Sequence, residues 1–156
     1  MTDPRTESHA LRGAPDGKAL RRFREIFETQ EPLACGELDD VLNPQTLALH
    51  LSDGVGPAET ARIDVRWSTT DDYNVHYTDS AGVDLRWDRH PHEYPSPPAE
   101  FHFHPPPAAA STPTDVEPSC IEETRIDIVA RAVHKLWRTI YEEHSFSDAN
   151  TAENPP

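Results

Sequence analysis

Apolar and polar residues alternate through the middle of this chain in four consecutive runs. Leu47, Leu49 and Leu51 alternate with Ala48 and His50 and stop at the turn signal Ser52-Asp53-Gly54. Ile63, Val65 and Trp67 then alternate with Arg62, Asp64 and Arg66, Tyr73, Val75 and Tyr77 with Asn74, His76 and Thr78, and Val83, Leu85 and Trp87 with Asp84, Arg86 and Asp88. A period of two marks half-buried strands, and runs repeating about every ten residues predict an antiparallel meander. Pairing Trp67 with Tyr73 and Tyr77 with Val83 keeps the apolar sets on one face, since a one-residue slip would turn a whole set into water. The other face then carries the rows Asp64, His76, Asp84 and Arg66, Asn74, Arg86. A further strand, Glu100 to His104, sets Phe101 and Phe103 against His102 and His104.

The period changes near both ends. Leu20, Phe23 and Phe27 share one face of a short helix predicted over Lys18 to Thr29. Pro118 followed by Ser119-Cys120-Ile121-Glu122 reads as a capping box opening a long helix, from about Cys120 to His144. Its face of Ile121, Ile128, Val129, Ala132, Val133, Leu136, Trp137 and Ile140 is wide enough to cover a sheet. The expected class is α+β: a four- to five-stranded antiparallel meander covered on one face by a long C-terminal helix. Residues 1–16, broken by Pro4, Gly13 and Pro15, read as a disordered tail, and residues 17–44 as a short helix and a patternless connector. Residues 45–144 read as a single α+β domain, with a Pro- and Ala-rich connector over 105–118, and residues 145–156 as a second disordered tail.

Charge narrows the function classes. The 156 residues carry 28 acidic side chains against 14 basic ones, a net charge of -14, and only Lys18 and Lys135 are lysines. An acid-rich, lysine-poor surface stays solvated in concentrated salt, so a salt-rich cytoplasm is expected. The same charge opposes binding by phosphate neutralisation and adhesion to anionic lipid. No apolar run approaches the ~20 residues of a membrane span, and the N-terminus lacks a signal-peptide core, so no membrane association is expected. Cys35 and Cys120 fit no disulfide framework or metal spacing and are expected to be buried or idle.

The candidate chemistry lies in Arg86-Trp87-Asp88-Arg89-His90-Pro91-His92 and His102-Phe103-His104-Pro105-Pro106-Pro107. If both phenylalanines of the fourth strand join the apolar face, His102 and His104 join the face bearing Arg86. Together with the strands from Arg62 to Trp67 and Tyr73 to Tyr77, these segments resemble a haloarchaeal group within the TumE-like family of small proteins, toxins of toxin–antitoxin pairs. The resemblance spans roughly residues 45–143. It implies a cognate antitoxin, often DNA-binding, and a toxic activity, with the family motif carried by Arg86, Asp88, His102 and His104. The inserted His90-Pro91-His92 and the proline-rich stretch depart from simpler members.

The residues themselves allow three readings. In a metal-independent ribonuclease, His102 and His104 exchange protons with the 2'-hydroxyl and the leaving oxygen while Arg86 clamps the phosphate and Asp88 or Asp84 fixes a tautomer. This reading needs no cofactor and no metal, and Arg66, His76, Arg89, His90 and His92 would line the substrate path. Against it, residues 62–104 hold four arginines and eight acids. In a metal reading, two His-x-His pairs supply imidazoles to zinc or a similar ion, although Pro91 argues that His90 and His92 leave the strand. In the third, the histidines and Arg-Asp pairs simply stabilise the polar face of a sheet, and the protein acts by binding. His76 alone fits a satisfied sheet histidine, and the Trp67, Trp87 and Tyr73 cluster fits a core.

Overall fold

The structure, a computed structural model, describes residues 11–91, 100–109, 112 and 115–151. Seven antiparallel strands follow one another across one sheet in chain order: β1 (Ala34–Leu38), β2 (Leu47–Leu51), β3 (Ala61–Trp67), β4 (Tyr73–Asp79), β5 (Asp84–Arg89), β6 (Phe101–His104) and β7 (Glu117–Pro118). Among the described residues two helices, α1 (Gly17–Gln30) and α2 (Ile126–Glu143), bracket the sheet in sequence. The meander and its long C-terminal helix are those the patterning predicts, but the strands among the described residues number seven rather than four or five.

The two extra strands lie at the edges, where alternation is weakest. β1 comes from the supposed connector and runs beside β2, with Cys35 opposite His50 and Gly36 opposite Leu49. Gly36 is required there because Arg24 of α1 crosses the strand. A Cβ at this position would come within 2.7 Å of Arg24 Cγ. β7 is two residues long and pairs Pro118 with His102 and Glu117 with Phe103, an edge position where proline's missing N–H costs no interior bond.

Register follows the alternation from β2 to β4. Leu49 faces Ile63, Val65 faces Val75, and Trp67 faces Tyr73, with their rings stacked at 4.7 Å. Between β4 and β5 the expected pairing is wrong by two residues: Tyr77 lies opposite Leu85, and Val75 opposite Trp87. The cause is the Asp79 side chain, which accepts from the backbone N–H of Ala81 and Val83 and tightens the turn around Gly82 at φ +86°. A slip of two preserves the faces, so the apolar set stays inside. The polar rows become Asp64, His76, Arg86, His104 and Arg66, Asn74, Asp88, His102.

Both helices contribute to the same core. In α1, Ala19, Leu20, Phe23, Ile26 and Phe27 are buried, and the Asp16 carboxylate caps the helix by accepting from Ala19 N–H. In α2, Val129, Ala130, Ala132, Val133, Leu136, Trp137 and Ile140 are buried. These side chains meet Leu47, Ile63, Val65, Trp67, Val75, Leu85 and Trp87 from the sheet. Each large apolar side chain so covered contributes about 1.5–3 kcal/mol. Arg22 of α1 ties the two helices by a two-pronged ion pair to Asp127.

α2 begins six residues later than the capping box implies. Ser119 N–H is bonded to the Phe101 carbonyl, which holds the segment in the sheet, and Ser119 Oγ accepts from Ile121 N–H instead of capping a helix. Glu123 takes over the turn, accepting from Thr124 and Arg125 N–H. The chain ends expected to be loose also pack. Arg12 is bound to Asp72, Thr69 N–H donates to the Ala14 carbonyl, and Asp16 N–H donates to the Trp67 carbonyl. After α2, Ala149 is buried, Phe146 meets the Tyr77 ring edge-on, and the Trp87 indole donates to the Ala149 carbonyl at 2.9 Å. Residues 1–10 and 152–156 of the expected tails lie outside the described residues.

Candidate functional site

Alternation along β5 sends Arg86 and Asp88 to the face opposite the helices, and His90, just past the strand, keeps the same parity. β6 delivers His102 directly opposite Asp88 and His104 directly opposite Arg86. The result is a convergence on one atom. Arg86 Nε lies 2.8 Å from Asp88 Oδ2, and the Nε2 atoms of His104, His90 and His102 lie 3.1, 3.4 and 3.7 Å from it. The rings of His90 and His102 meet edge-on at 4.6 Å, and those of His102 and His104 at 5.0 Å.

Two backbone carbonyls fix proton positions. His90 Nδ1 is 2.8 Å from the Pro91 oxygen, and His102 Nδ1 is 2.9 Å from the Glu100 oxygen. A carbonyl only accepts, so both Nδ1 atoms carry hydrogen, and each ring turns its Nε2 towards Asp88. Burial alone would raise the Asp88 pKa. The Arg86 charge and the bonds from His104 and His90 outweigh it and hold the carboxyl well below its ordinary value.

An open polar face does not describe this place. Asp88, His90, His102 and His104 are all fully buried, and Asn74, opposite Asp88 on β4, is buried too. Arg86 is the partly exposed member, its side chain 13% accessible. The four residues expected at the centre, Arg86, Asp88, His102 and His104, are brought together, and His90, expected to line the substrate path, joins them in their midst. Its parity with Arg86 and Asp88 was the available signal; β5 ends at Arg89, but His90 N–H still bonds the Glu100 carbonyl, so Pro91 takes the chain away only after His90 has been placed.

The remaining candidates lie elsewhere. His76 is opposite Arg86 but bonds Asp84 at 2.9 Å. Arg66 is exposed on β3, two strands from Asp88. Arg89 has the other parity and is not a neighbour of the histidines. It stacks on Phe101 at 5.7 Å and bonds Asp72 and the Thr70 carbonyl. Its partner Asp72, which the sequence did not single out, receives the Arg12 side chain and backbone N–H at 2.8 Å. His92 lies outside the described residues.

A groove of about 630 Å³ lies at the other end of the sheet and shares no residue with the cluster. It is lined by Leu33, Cys35, His50, Arg62 and Thr78 among others, and Cys35 there is exposed rather than buried. No helix among the described residues is long and apolar enough to cross a membrane.

Compared with known families, residues 23–144 match the family model described as toxin TumE. Neither the curated proteins nor the solved structures contain a match to the chain.

Proposed function

From the premise that this chain belongs to the TumE toxin family, we propose that it is the toxin half of a toxin–antitoxin pair and cleaves RNA at the Asp88 cluster. The observation that carries this reading is the convergence of one guanidinium and three imidazoles on a single carboxylate oxygen. So many groups able to bind or transfer charge, gathered on two neighbouring strands, are the makings of a phosphodiester site. Arg86, the partly exposed member, is the phosphate clamp, and its Nε–H bond to Asp88 sets the plane of the guanidinium. Asp88 holds the imidazoles in place. His102, His104 and His90 act on the 2'-hydroxyl and the leaving oxygen, directly or through a bound ion. Direct proton transfer requires RNA to reach Nε2 atoms that are buried and aimed at Asp88, so burial weighs against the metal-free version.

Toxin activity calls for a partner that silences it, and a cognate antitoxin made alongside this chain fits that role. A DNA-binding antitoxin and a cytoplasmic setting are parts of the same proposal, because RNA is there to be cut. A net charge of -14 means the RNA must be held locally, by Arg86, rather than by the field of the whole molecule.

Induced expression should arrest growth, and purified protein should cleave RNA. Replacing Arg86 with Ala should lower the cleavage rate about 10²- to 10³-fold, the usual cost of losing one charge-stabilising donor. Absence of cleavage by the folded parent, with growth arrest undiminished in Arg86→Ala, would reject the ribonuclease reading in favour of toxicity by binding, for which the complete burial of the histidines is the supporting observation.

A further inference from the structure

We propose that Asp88, His102 and His104 bind a divalent transition-metal ion, zinc or one with similar preference for imidazole, with His90 as the adjoining fourth ligand. The inference deepens the reading of the Asp88 cluster as the working site, but its own test does not depend on RNA cleavage.

Geometry is the first support. One ligand atom from each of Asp88, His102 and His104 lies within 4.8 Å of the other two. Ligands bound to zinc at about 2.0–2.1 Å in a tetrahedron stand roughly 3.3–3.4 Å from one another. Asp88 Oδ2 lies 3.1, 3.4 and 3.7 Å from the three Nε2 atoms, so it already sits at ligand–ligand distance from each. Closing the set around an ion asks for shifts of a few tenths of an ångström at that oxygen, with the imidazole nitrogens, within 4.8 Å of one another for His102 and His104, drawing in to ligand spacing.

The surroundings support it independently. A metal-binding imidazole ordinarily donates its second N–H to a carbonyl or carboxylate, which fixes the ring and sharpens the lone pair. His102 does this to Glu100 and His90 to Pro91. A carboxylate oxygen has two lone pairs, so Asp88 Oδ2 can keep its bond from Arg86 and still face the ion. His102 and Asp88 are direct cross-strand partners, and His104 is one alternation away, so the ligands stand on rigid neighbouring strands rather than on a loop.

Donor chemistry selects the ion. Two or three imidazoles with one carboxylate favour zinc and its first-row neighbours over magnesium or calcium, which prefer all-oxygen cages. An ion there would supply Lewis acidity towards a phosphodiester oxygen held by Arg86. Such a role would also explain why the histidines need not meet RNA themselves.

The test uses the purified full chain, freed of metal by dialysis against a chelator and then given Zn²⁺ alone or Co²⁺ alone. The expected results are one ion per chain by elemental analysis, the visible absorption of cobalt in a low-symmetry nitrogen–oxygen site, and a melting temperature raised by about 5 °C or more at hundredfold excess over Kd. His102→Ala should weaken binding at least 100-fold and abolish the cobalt spectrum, whereas His50→Ala, on the distant groove, should change neither. Should His102→Ala fail to fold, His102→Gln and Asp88→Asn keep the shape of the cluster and should show the same loss. No uptake of Zn²⁺ by the folded parent, or equal affinity in His102→Gln and Asp88→Asn, would overturn the assignment. Metal uptake without RNA cleavage would leave the metal site standing and reject only the ribonuclease.

Discussion

Asp72, at the entry to β4, and Asp88, on β5, both have side chains with no solvent exposure, and both are held below their ordinary pKa. Their partners differ in kind. Asp72 is neutralised by two guanidinium groups, Arg12 and Arg89, which stay charged at any ordinary pH. Asp88 has one guanidinium and three imidazoles, whose charge is conditional and whose lone pairs can turn to a cation. The first arrangement fastens residues 11–16 to the sheet and leaves nothing over for chemistry. The second does less fastening and retains groups able to bind or exchange something. Burial and a depressed pKa are therefore no mark of function by themselves; the nature of the counter-charge is.

Substitution should separate the two most strongly. Asp72→Asn takes the buried carboxylate from two guanidiniums that cannot shed their charge, and should cost about 3 kcal/mol, near the lower end for breaking a buried pair because Glu100 still pairs with both and Arg12 can regain water. Asp88→Asn takes the carboxylate from one guanidinium, Arg86, and leaves imidazoles that can remain neutral, so in metal-free protein it should cost less, about 2 kcal/mol. Denaturant midpoints of the two variants check the order, and a larger loss for Asp88→Asn would reverse the assignment of roles.

Acid provides a second comparison. Burial by itself would raise the Asp72 pKa, but the hydrogen bonds and charge of Arg12, with the charge of Arg89, hold it below the ordinary value. A lowered folded-state pKa means that the stabilisation is complete above the unfolded value, near 4, and is lost as pH falls through the folded value. Unfolding free energy of the parent should therefore drop more steeply below about pH 4 than that of Asp72→Asn. Parallel slopes would show that Asp72 is not the group responsible.

Ionic strength should give the smallest difference. Screening acts on exposed charges and reaches buried pairs weakly. Added salt should relieve the repulsion among the -14 net charges and raise the melting temperature of the parent, Asp72→Asn and Asp88→Asn by similar amounts. A salt response confined to the parent would place one of the two carboxylates within reach of solvent ions.

The central strands were legible because Ile63, Val65 and Trp67, and their counterparts on β4 and β5, alternate without interruption. β1 was not, because Cys35, Gly36 and Glu37 show no period and the strand is fixed by its neighbours, Arg24 above and Leu49 beside it. The β4–β5 offset turned on one side chain, Asp79, bonding within its own turn. Ser119 satisfied a capping pattern while its backbone was already committed to β6. At the site, parity alone placed Arg86, Asp88, His102 and His104 on one face. It could not show that the face is closed at this point, nor that Arg89, which the same parity sends to the opposite side, meets Asp72 there.

The bond from the Trp87 indole to the Ala149 carbonyl joins residues 62 positions apart. Strand β5, which bears Arg86 and Asp88 on one side and Trp87 on the other, is thus synthesised well before the segment that completes its inner face. At about 5–20 residues per second, translation of the interval takes roughly 3–12 s. For most of that time the nascent sheet lacks a complete α2, and until its end it lacks the Phe146 to Ala149 segment, so the cluster stands on an unfinished support. In this member of a toxin family, the long reach of that bond ties the completed support of the cluster to the arrival of residues 146–149.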